Sequence, residues 1–84
     1  MVKVTVTPDA LREIDRLPRP IQQRVLNVLI RLRQWPKVSG AKPLRGELTG
    51  CYRIRTGDYR LQFHLDGDDL ILDRVGHRDG FYED

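Results

Sequence analysis

Two glycine-containing turn signals constrain the fold of this chain more than any other feature. They are Thr56-Gly57-Asp58 and Asp66-Gly67-Asp68, and they divide the last third of the sequence into three short runs of strand-forming residues. Tight turns between such runs are typical of antiparallel hairpins. The sequence therefore predicts three consecutive antiparallel strands, which begin near Cys51, Tyr59 and Leu70.

The first of these turns also predicts a register. A two-residue loop at Gly57-Asp58 sets Arg55 opposite Arg60 and Ile54 opposite Leu61. Because successive side chains of a strand point to opposite faces, the apolar residues then share one face. The other face collects the polar residues Arg53, Arg55, Arg60, Gln62 and His64. Like charges that face each other are unfavourable unless an anion lies between them, so this face favours a polyanionic ligand.

The third strand contains a continuous apolar run, Leu70-Ile71-Leu72. Such a run is typical of a strand that is covered on both sides, so we expect this strand to be the central one. Gly76 loosens its end. His77-Arg78 then emerges where the strand stops, a place where side chains often gather at a site.

The first half of the chain predicts a strand followed by a helical hairpin. Residues 3–6 alternate like a short strand, and Thr7-Pro8-Asp9 has the cap, the proline and the acid of a helix start. The first helix is predicted to run to about Leu17, where Pro18-Arg19-Pro20 breaks it. The second helix extends to Trp35 and stops before a proline.

The predicted fold class is α+β. An N-terminal strand and an α-helical hairpin precede a three-stranded antiparallel run that completes a small twisted sheet. Residues 38–50 are mainly a connection, with a brief extended piece near Leu44 or Leu48.

The second helix is more apolar than one contact requires. Leu26, Leu29 and Ile30 widen its apolar stripe. Core packing is favoured over a surface reserved for a partner chain, because so short a chain has few other apolar groups from which to build its interior.

Composition favours one small domain and a phosphate ligand. A chain of 84 residues has room for a single modest core, so we expect one domain that spans residues 1–84. The formal charge is +3, and 12 of the 15 basic residues are arginine. The planar guanidinium of arginine matches phosphate geometry, which favours a phosphate-binding role.

The sequence also predicts a location. The lone Cys51 cannot form an internal disulfide, and the start of the chain lacks the apolar run of a secretion signal. No run approaches transmembrane length. We therefore expect a cytoplasmic protein without a membrane partner.

No motif predicts a metal or a cofactor. His64 and His77 are 13 residues apart and lie outside the Cys/His spacing of structural zinc sites. No glycine-rich turn joins a strand to a helix, so phosphate-loop and dinucleotide motifs are missing. Positive charge near Cys51 predicts a lowered thiol pKa, but in the absence of other activating features we favour an inert thiol over a nucleophile.

The residues best suited to hold a phosphodiester are four arginines, two histidines and a tyrosine: Arg53, Arg55, Arg60, Arg78, His64, His77 and Tyr82. RNA cleavage without a metal requires a base for the ribose 2′-hydroxyl, cations for the crowded phosphorane and an acid for the leaving oxygen. Arginine readily supplies only the cations, because its guanidinium stays protonated. Proton transfer is therefore open among His77, His64 and Tyr82, and a tyrosine can instead stack on a base.

At these residues the chain resembles the RelE/ParE superfamily of bacterial toxins, and the RelE-like mRNA interferases in particular. The resemblance covers nearly the whole length and rests on the order strand, helical hairpin, three strands. Its motifs are Leu44-Arg45-Gly46, Cys51-Tyr52-Arg53-Ile54-Arg55, Tyr59-Arg60-Leu61 and Val75-Gly76-His77-Arg78, with Tyr82 following.

The resemblance implies the toxin of a type II toxin–antitoxin system, which enters the ribosomal A site and cleaves mRNA by metal-independent 2′-hydroxyl attack. It also implies a cognate antitoxin that wraps over the toxin in a hetero-oligomer. Arg53 and Arg55 stand where RelE-like toxins carry two basic residues, usually lysines. Arg60 and Arg78 match arginines that stabilise or protonate the phosphate, and Tyr82 matches a late tyrosine.

The predicted catalytic set is therefore Arg53, Arg55, Arg60, Arg78, His77 and Tyr82. Arginine at position 55 departs from the family pattern, because it is a poorer base than lysine. Two other functions stay open, namely a ParE-like inhibitor of DNA gyrase and a catalytically inactive module that binds RNA or an antitoxin. The full basic set favours the interferase.

Overall fold

The chain forms a five-stranded sheet with two helices packed against one face. The computed structural model describes residues 2–81. The elements are β1 (Lys3–Val6), α1 (Pro8–Asp15), α2 (Arg19–Leu32), β2 (Lys42–Pro43), β3 (Cys51–Thr56), β4 (Tyr59–Asp66) and β5 (Asp69–His77), with short 3₁₀ turns at Gly46–Leu48 and Arg78–Gly80. The strand order is β1-β5-β4-β3-β2. The α+β prediction is confirmed, and β2 adds one short strand beside the predicted extended piece at Leu44.

The start of α1 is confirmed in detail. Its cap is Thr7, whose hydroxyl oxygen accepts a hydrogen bond from the Ala10 backbone N–H at 3.1 Å. Pro8 occupies the first turn and Asp9 places a negative charge near the positive end of the helix dipole.

Both helices end slightly earlier than predicted. α1 ends at Asp15 rather than near Leu17, and α2 ends at Leu32 rather than at Trp35. Each helix tightens into i→i−3 hydrogen bonds, such as the 3.0 Å bond from the Trp35 N–H to the Leu32 carbonyl, and such a turn is a common helix end. Neither helix within residues 2–81 is long and apolar enough to cross a bilayer.

The predicted register of β3 and β4 is confirmed. Arg55 lies opposite Arg60, and Ile54 lies opposite Leu61. The connecting turn requires a positive φ, which Gly57 adopts at 60° without the clash that a Cβ would cause.

The third of these strands, β5, is an interior strand of the sheet, but β4 rather than β5 occupies its middle. β5 lies between β4 and β1, and its pairing with β1 is parallel, with Val4 opposite Leu70 and Val6 opposite Leu72. Leu70 and Leu72 are fully buried, whereas Ile71 is half-buried on the other face.

The core lies between the helices and one face of the sheet. It contains residues from both layers, including Ala10, Val25, Leu32, Leu61, Phe63, Leu70 and Leu72, all fully buried. Three aromatic rings pack at its edge, with ring centroids 4.8 to 5.6 Å apart: Trp35, Tyr52 and Phe63.

The predicted burial of the wide stripe on α2 is wrong for two of its residues. Leu29 is buried, but Leu26 is 48% exposed and Ile30 is 61% exposed. Because these two lie one turn apart, they form a ridge on the outer side of α2, which we call the outer ridge. The core uses only the inner side of the helix.

A side chain on α1 satisfies a backbone donor on β5. β1 ends at Val6, opposite Leu72, so it does not reach the last part of β5. In that part, the Glu13 carboxylate accepts a hydrogen bond from the Val75 backbone N–H at 2.7 Å. The ladder between β4 and β5 is also irregular here, because a bulge leaves Asp73 without a register partner.

Candidate functional site

The predicted arginines lie on the sheet face that the helices leave uncovered. Side chains on this face form two rows across the strands. The first row consists of Arg55, Arg60 and Gly76, and the second consists of Lys42, Arg53, Gln62 and Arg74. Neighbouring strands are about 4.8 Å apart, so charges within a row lie close together.

These rows contribute to a groove of about 950 Å³, which we call the basic groove. Its lining includes six basic side chains and one acidic side chain: Arg31, Lys42, Arg53, Arg55, Arg60, Arg78 and Asp79. All four arginines of the predicted set therefore line one groove. The excess of positive charge matches an anionic ligand.

Arg78 reaches the groove because the end of β5 is tied to the turn between β3 and β4. Its backbone N–H donates to the Asp58 carbonyl at 2.7 Å. Its guanidinium lies 3.9 Å from the Asp58 carboxylate and 3.8 Å from the Asp79 carboxylate. These contacts hold Arg78 beside the turn that joins the strands of Arg55 and Arg60.

Arg55 and Arg60 face each other with little compensating charge. Arg60 donates to the backbone carbonyls of Gly57 and Tyr59, each at 3.3 Å. No carboxylate within residues 2–81 forms an ion pair with either arginine. Opposed like charges destabilise a strand pair, and a bound anion relieves that repulsion.

Arg53 is positioned by a glutamine and an aromatic ring. Its guanidinium donates to the Gln62 side-chain oxygen at 3.3 Å and lies 5.2 Å from the centroid of Phe81. Arg74 lies 4.2 Å from the centroid of the same ring. Phe81 thus contacts two cations by cation–π interactions. Gln62, on the same face, is buried.

Gly76 makes this position of Phe81 possible. A Cβ on Gly76 would lie 3.1 Å from a ring carbon of Phe81, closer than almost all real contacts of a Cβ. Gly76 therefore provides room for an aromatic ring, rather than the loose strand end that we expected.

His77 flanks the groove but does not line it. Its Nδ1 lies 3.2 Å from the Asp79 backbone nitrogen, from which it can accept a hydrogen bond, and 3.3 Å from the Asp79 carboxylate. Its ring packs edge-on against Tyr59, with centroids 5.4 Å apart. The side chain is 42% exposed, so the ring has access to solvent or to a ligand.

His64 and Cys51 form a separate pair further along the sheet. They are register partners, and the Nδ1 atom of His64 lies 2.6 Å from the Asp73 carboxylate. Burial, and to a lesser extent the Asp73 carboxylate, raise the pKa of the Cys51 thiol. The predicted lowering of this pKa is therefore wrong, and the raised pKa disfavours the reactive thiolate.

Tyr82, the last member of the predicted catalytic set, lies outside the described residues. Within the part of the chain that the structure describes, no group of three or more histidine, cysteine, aspartate or glutamate side chains is placed to hold a metal ion.

Sequence reasoning missed several residues that line the groove, namely Arg31, Lys42, Leu44 and Phe81, and it missed Arg74, which packs on the Phe81 ring. One signal was present, because a glycine inside a strand pattern often marks the close approach of another group. Gly76 was such a glycine, and Phe81 is the group that approaches it.

The sequence matches known toxins along nearly its whole length. Residues 4–80 match the family described as ParE toxin of type II toxin–antitoxin system, parDE. Toxin RelG of Mycobacterium tuberculosis is 32% identical over 81 residues, which cover 94% of this chain and 93% of the relative. Toxin RelE3 of Methanocaldococcus jannaschii is 26% identical over 85 residues, which cover 98% of this chain and 97% of the relative.

Solved structures give the same result for the fold. A chain of the toxin–antitoxin complex RelBE2 from Mycobacterium tuberculosis superimposes with a TM-score of 0.80 at 32% identity, covering 92% of this chain and 98% of that chain. The isolated E. coli RelE toxin superimposes with a TM-score of 0.76 at 22% identity, covering 92% of this chain and 84% of that chain. At 22% identity, the similarity to the E. coli RelE toxin shows a shared fold only.

Proposed function

Because this chain belongs to the ParE toxin family of type II toxin–antitoxin systems, we propose that it is a toxin that cleaves mRNA in the ribosomal A site. The observation that supports cleavage is the convergence of Arg53, Arg55, Arg60 and Arg78 on the basic groove. A protein that acts only by docking on another protein has little need for opposed like charges, which cost stability.

The proposed reaction is an internal transfer of the phosphoryl group. The ribose 2′-oxygen bonds to phosphorus, the bond from phosphorus to the 5′-oxygen breaks, and the product carries a 2′,3′-cyclic phosphate. One proton leaves the 2′-hydroxyl and one is delivered to the 5′-oxygen. Negative charge builds on the phosphorane between these events, so cations that are already in position lower the barrier.

Arg60 and Arg78 are the proposed ligands of the scissile phosphate. Arg60 is oriented by two backbone carbonyls, and Arg78 is anchored to the turn through Asp58. Both guanidiniums are therefore restrained before substrate binds, which reduces the reorganisation needed in the transition state. Arg53 and Arg55 add positive charge on the neighbouring strand.

Proton transfer requires a residue other than these arginines, because a guanidinium does not give up its proton at ordinary pH. His77 is our candidate among the described residues, since its ring is partly exposed beside the groove and Asp79 contacts its Nδ1. Tyr82 remains a candidate from the sequence alone.

Primer extension on mRNA in a cell-free translation reaction, with and without ribosomes, tests this proposal. We expect ribosome-dependent cuts by the parent and a loss of at least a hundredfold in Arg60→Ala, about the effect of removing one preorganised group that stabilises transition-state charge. Arg19→Ala is the matched control, because Arg19 is exposed at the start of α2, outside the groove. If Arg60→Ala cleaves as fast as Arg19→Ala, the site assignment is wrong.

We also propose a cognate antitoxin as the partner. Two structures that share this fold are toxin–antitoxin complexes, RelBE2 from Mycobacterium tuberculosis and RelBE from E. coli. The outer ridge of Leu26 and Ile30 is apolar, exposed and unused by the core, which fits the apolar face of an amphipathic antitoxin helix. Co-purification of the toxin with the product of an adjacent reading frame tests this, and a toxin that stays monomeric beside that product contradicts it.

Inhibition of DNA gyrase is the second candidate, because the matching family description is that of the ParE toxins. A supercoiling assay separates the two activities. A gyrase poison accumulates cleaved DNA and leaves mRNA intact, whereas an interferase gives the opposite pattern.

A further inference from the structure

The basic groove is longer than the proposed cleavage site requires. Arg60 and Arg78 lie on β4 and just after β5, whereas Lys42 lies on β2 at the opposite edge of the sheet. Two strand spacings separate β4 from β2 and three separate β5 from β2, or about 10 Å and about 14 Å of backbone distance. A phosphate bound by Arg60 and Arg78 therefore leaves cations without a ligand at the β2 end.

Two basic side chains from different elements, Arg31 and Lys42, line the groove toward that end. Lys42 is the register partner of Arg53 and extends the row of cations beyond β3. Arg31 projects from the end of α2, and its guanidinium donates to the Ser39 carbonyl at 3.2 Å. Both line the groove, although the helix and β2 are separate in sequence. The hydrogen bond restrains Arg31 against the loop that leads to Lys42.

The charge of the groove is asymmetric along its length. The only carboxylate in its described lining is Asp79, which lies at the β5 end beside Arg78. Phosphates that flank a bound phosphate at Arg60 and Arg78 are repelled by Asp79 and attracted by the β2 end. The favourable path for a nucleic acid strand therefore runs from Arg78 toward Lys42.

We propose that Arg31 and Lys42 form a second phosphate subsite, which binds a flanking phosphate of the same RNA strand. This inference rests on the proposed function, because it takes the strand at Arg60 and Arg78 to be RNA. Arg31 presents a planar fork and Lys42 a point charge, the two side chains most used for phosphate contacts. The subsite selects for a strand that continues beyond the cleaved bond, rather than for a particular base.

Binding of two labelled oligonucleotides tests the subsite. Both carry 2′-deoxyriboses, so that they are not cleaved. One is a dinucleotide with a single phosphate, and the other is a hexanucleotide. Fluorescence anisotropy measures Kd over a series of salt concentrations for the parent, Arg31→Ala, Lys42→Ala and the control Arg19→Ala.

We expect Arg31→Ala and Lys42→Ala each to weaken hexanucleotide binding about three- to tenfold, while dinucleotide binding is unchanged. In the double variant, the slope of log Kd against log salt falls by about 0.7, the value for one lost phosphate contact on a single strand. Arg19→Ala leaves both affinities and the slope unchanged. Melting curves confirm that all variants are folded, which is expected because Arg31 and Lys42 are exposed.

Three results would contradict the proposed subsite, and each can be told apart from a failure of the proposed function. Equal losses of affinity for the dinucleotide and the hexanucleotide show that the substitutions act through the overall charge of the protein. If the parent cleaves mRNA but the Arg31 and Lys42 variants bind the hexanucleotide as tightly as the parent does, the RNA strand does not reach Arg31 and Lys42. Unchanged RNA binding with weakened antitoxin binding assigns this end to the antitoxin. If the parent neither cleaves mRNA nor binds either oligonucleotide, the proposed function itself fails.

Discussion

The contact between Glu13 and Val75 supports a quantitative prediction about stability. The Glu13 carboxylate is half-buried and accepts the Val75 backbone N–H at 2.7 Å, on a part of β5 that β1 does not reach. Glu13→Ala removes the acceptor and leaves a donor of a buried residue without a protein partner. A hydrogen bond to a charged group contributes about 1.5–3 kcal/mol, so the free energy of unfolding should fall by about that amount.

Thermal unfolding followed by circular dichroism measures the effect. For a domain of this size, about 1 kcal/mol corresponds to a shift of about 4–8 °C, so Glu13→Ala should lower Tm by roughly 6–24 °C. Glu13→Gln keeps a neutral acceptor and should lose about half as much, because charge-assisted hydrogen bonds are about twice as strong as neutral ones. Asp15→Ala is the control, since Asp15 is exposed on the same helix.

The Asp15→Ala variant should stay within about 0.5 kcal/mol of the parent. If Glu13→Ala melts together with Asp15→Ala, the hydrogen bond to Val75 does not stabilise the fold. If Glu13→Gln is as destabilised as Glu13→Ala, the carboxylate acts through its charge rather than as an acceptor for the backbone.

Three further predictions concern other parts of the molecule. Gly76→Val should displace the Phe81 ring, because even a Cβ at position 76 would lie 3.1 Å from a ring carbon. The variant should therefore reduce RNA cleavage as much as Phe81→Ala does. Normal cleavage by Gly76→Val would contradict this role of the ring. The raised pKa of Cys51 keeps the thiol protonated up to a higher pH in the folded chain than in the unfolded chain. At pH 8.5, iodoacetamide should therefore alkylate the native protein more slowly than the urea-unfolded protein. Equal alkylation rates would contradict the raised pKa. Replacing Leu26 and Ile30 by Gln should change the unfolding free energy by less than about 0.5 kcal/mol. The same replacement should weaken antitoxin binding in a pull-down. A marked loss of stability would place both residues in the core.

The hairpin of β3 and β4 is the part of the fold most accessible from the sequence. A two-residue turn at Gly57-Asp58 allows one pairing that keeps Ile54 and Leu61 on the same face, and this pairing is observed. The register in turn places Arg55 opposite Arg60. Local turn chemistry and a strict period of two are sufficient for this part of the site.

Other features depend on how distant elements pack, so the sequence pattern does not contain them. Arg31 enters the groove only because α2 ends beside the loop that precedes β2. The arginines that neighbour Cys51 in sequence suggested a lowered thiol pKa, but burial and Asp73 of β5 raise it. The apolar stripe of α2 does not show which of its sides faces the sheet, and Leu26 and Ile30 proved to be on the outer one.

The parallel pairing of β1 with β5 has a consequence for the order in which the groove assembles during folding. β1 precedes both helices and the other strands in the chain, whereas its single neighbour in the sheet within residues 2–81 is β5, which follows all of them. Contacts between such distant segments form late, because the intervening chain must first be ordered. The same late segment delivers Arg78 to the groove. The hairpin that carries Arg55 and Arg60 can therefore form while the sheet is still open and the groove still lacks Arg78, so the complete groove should appear only late in folding.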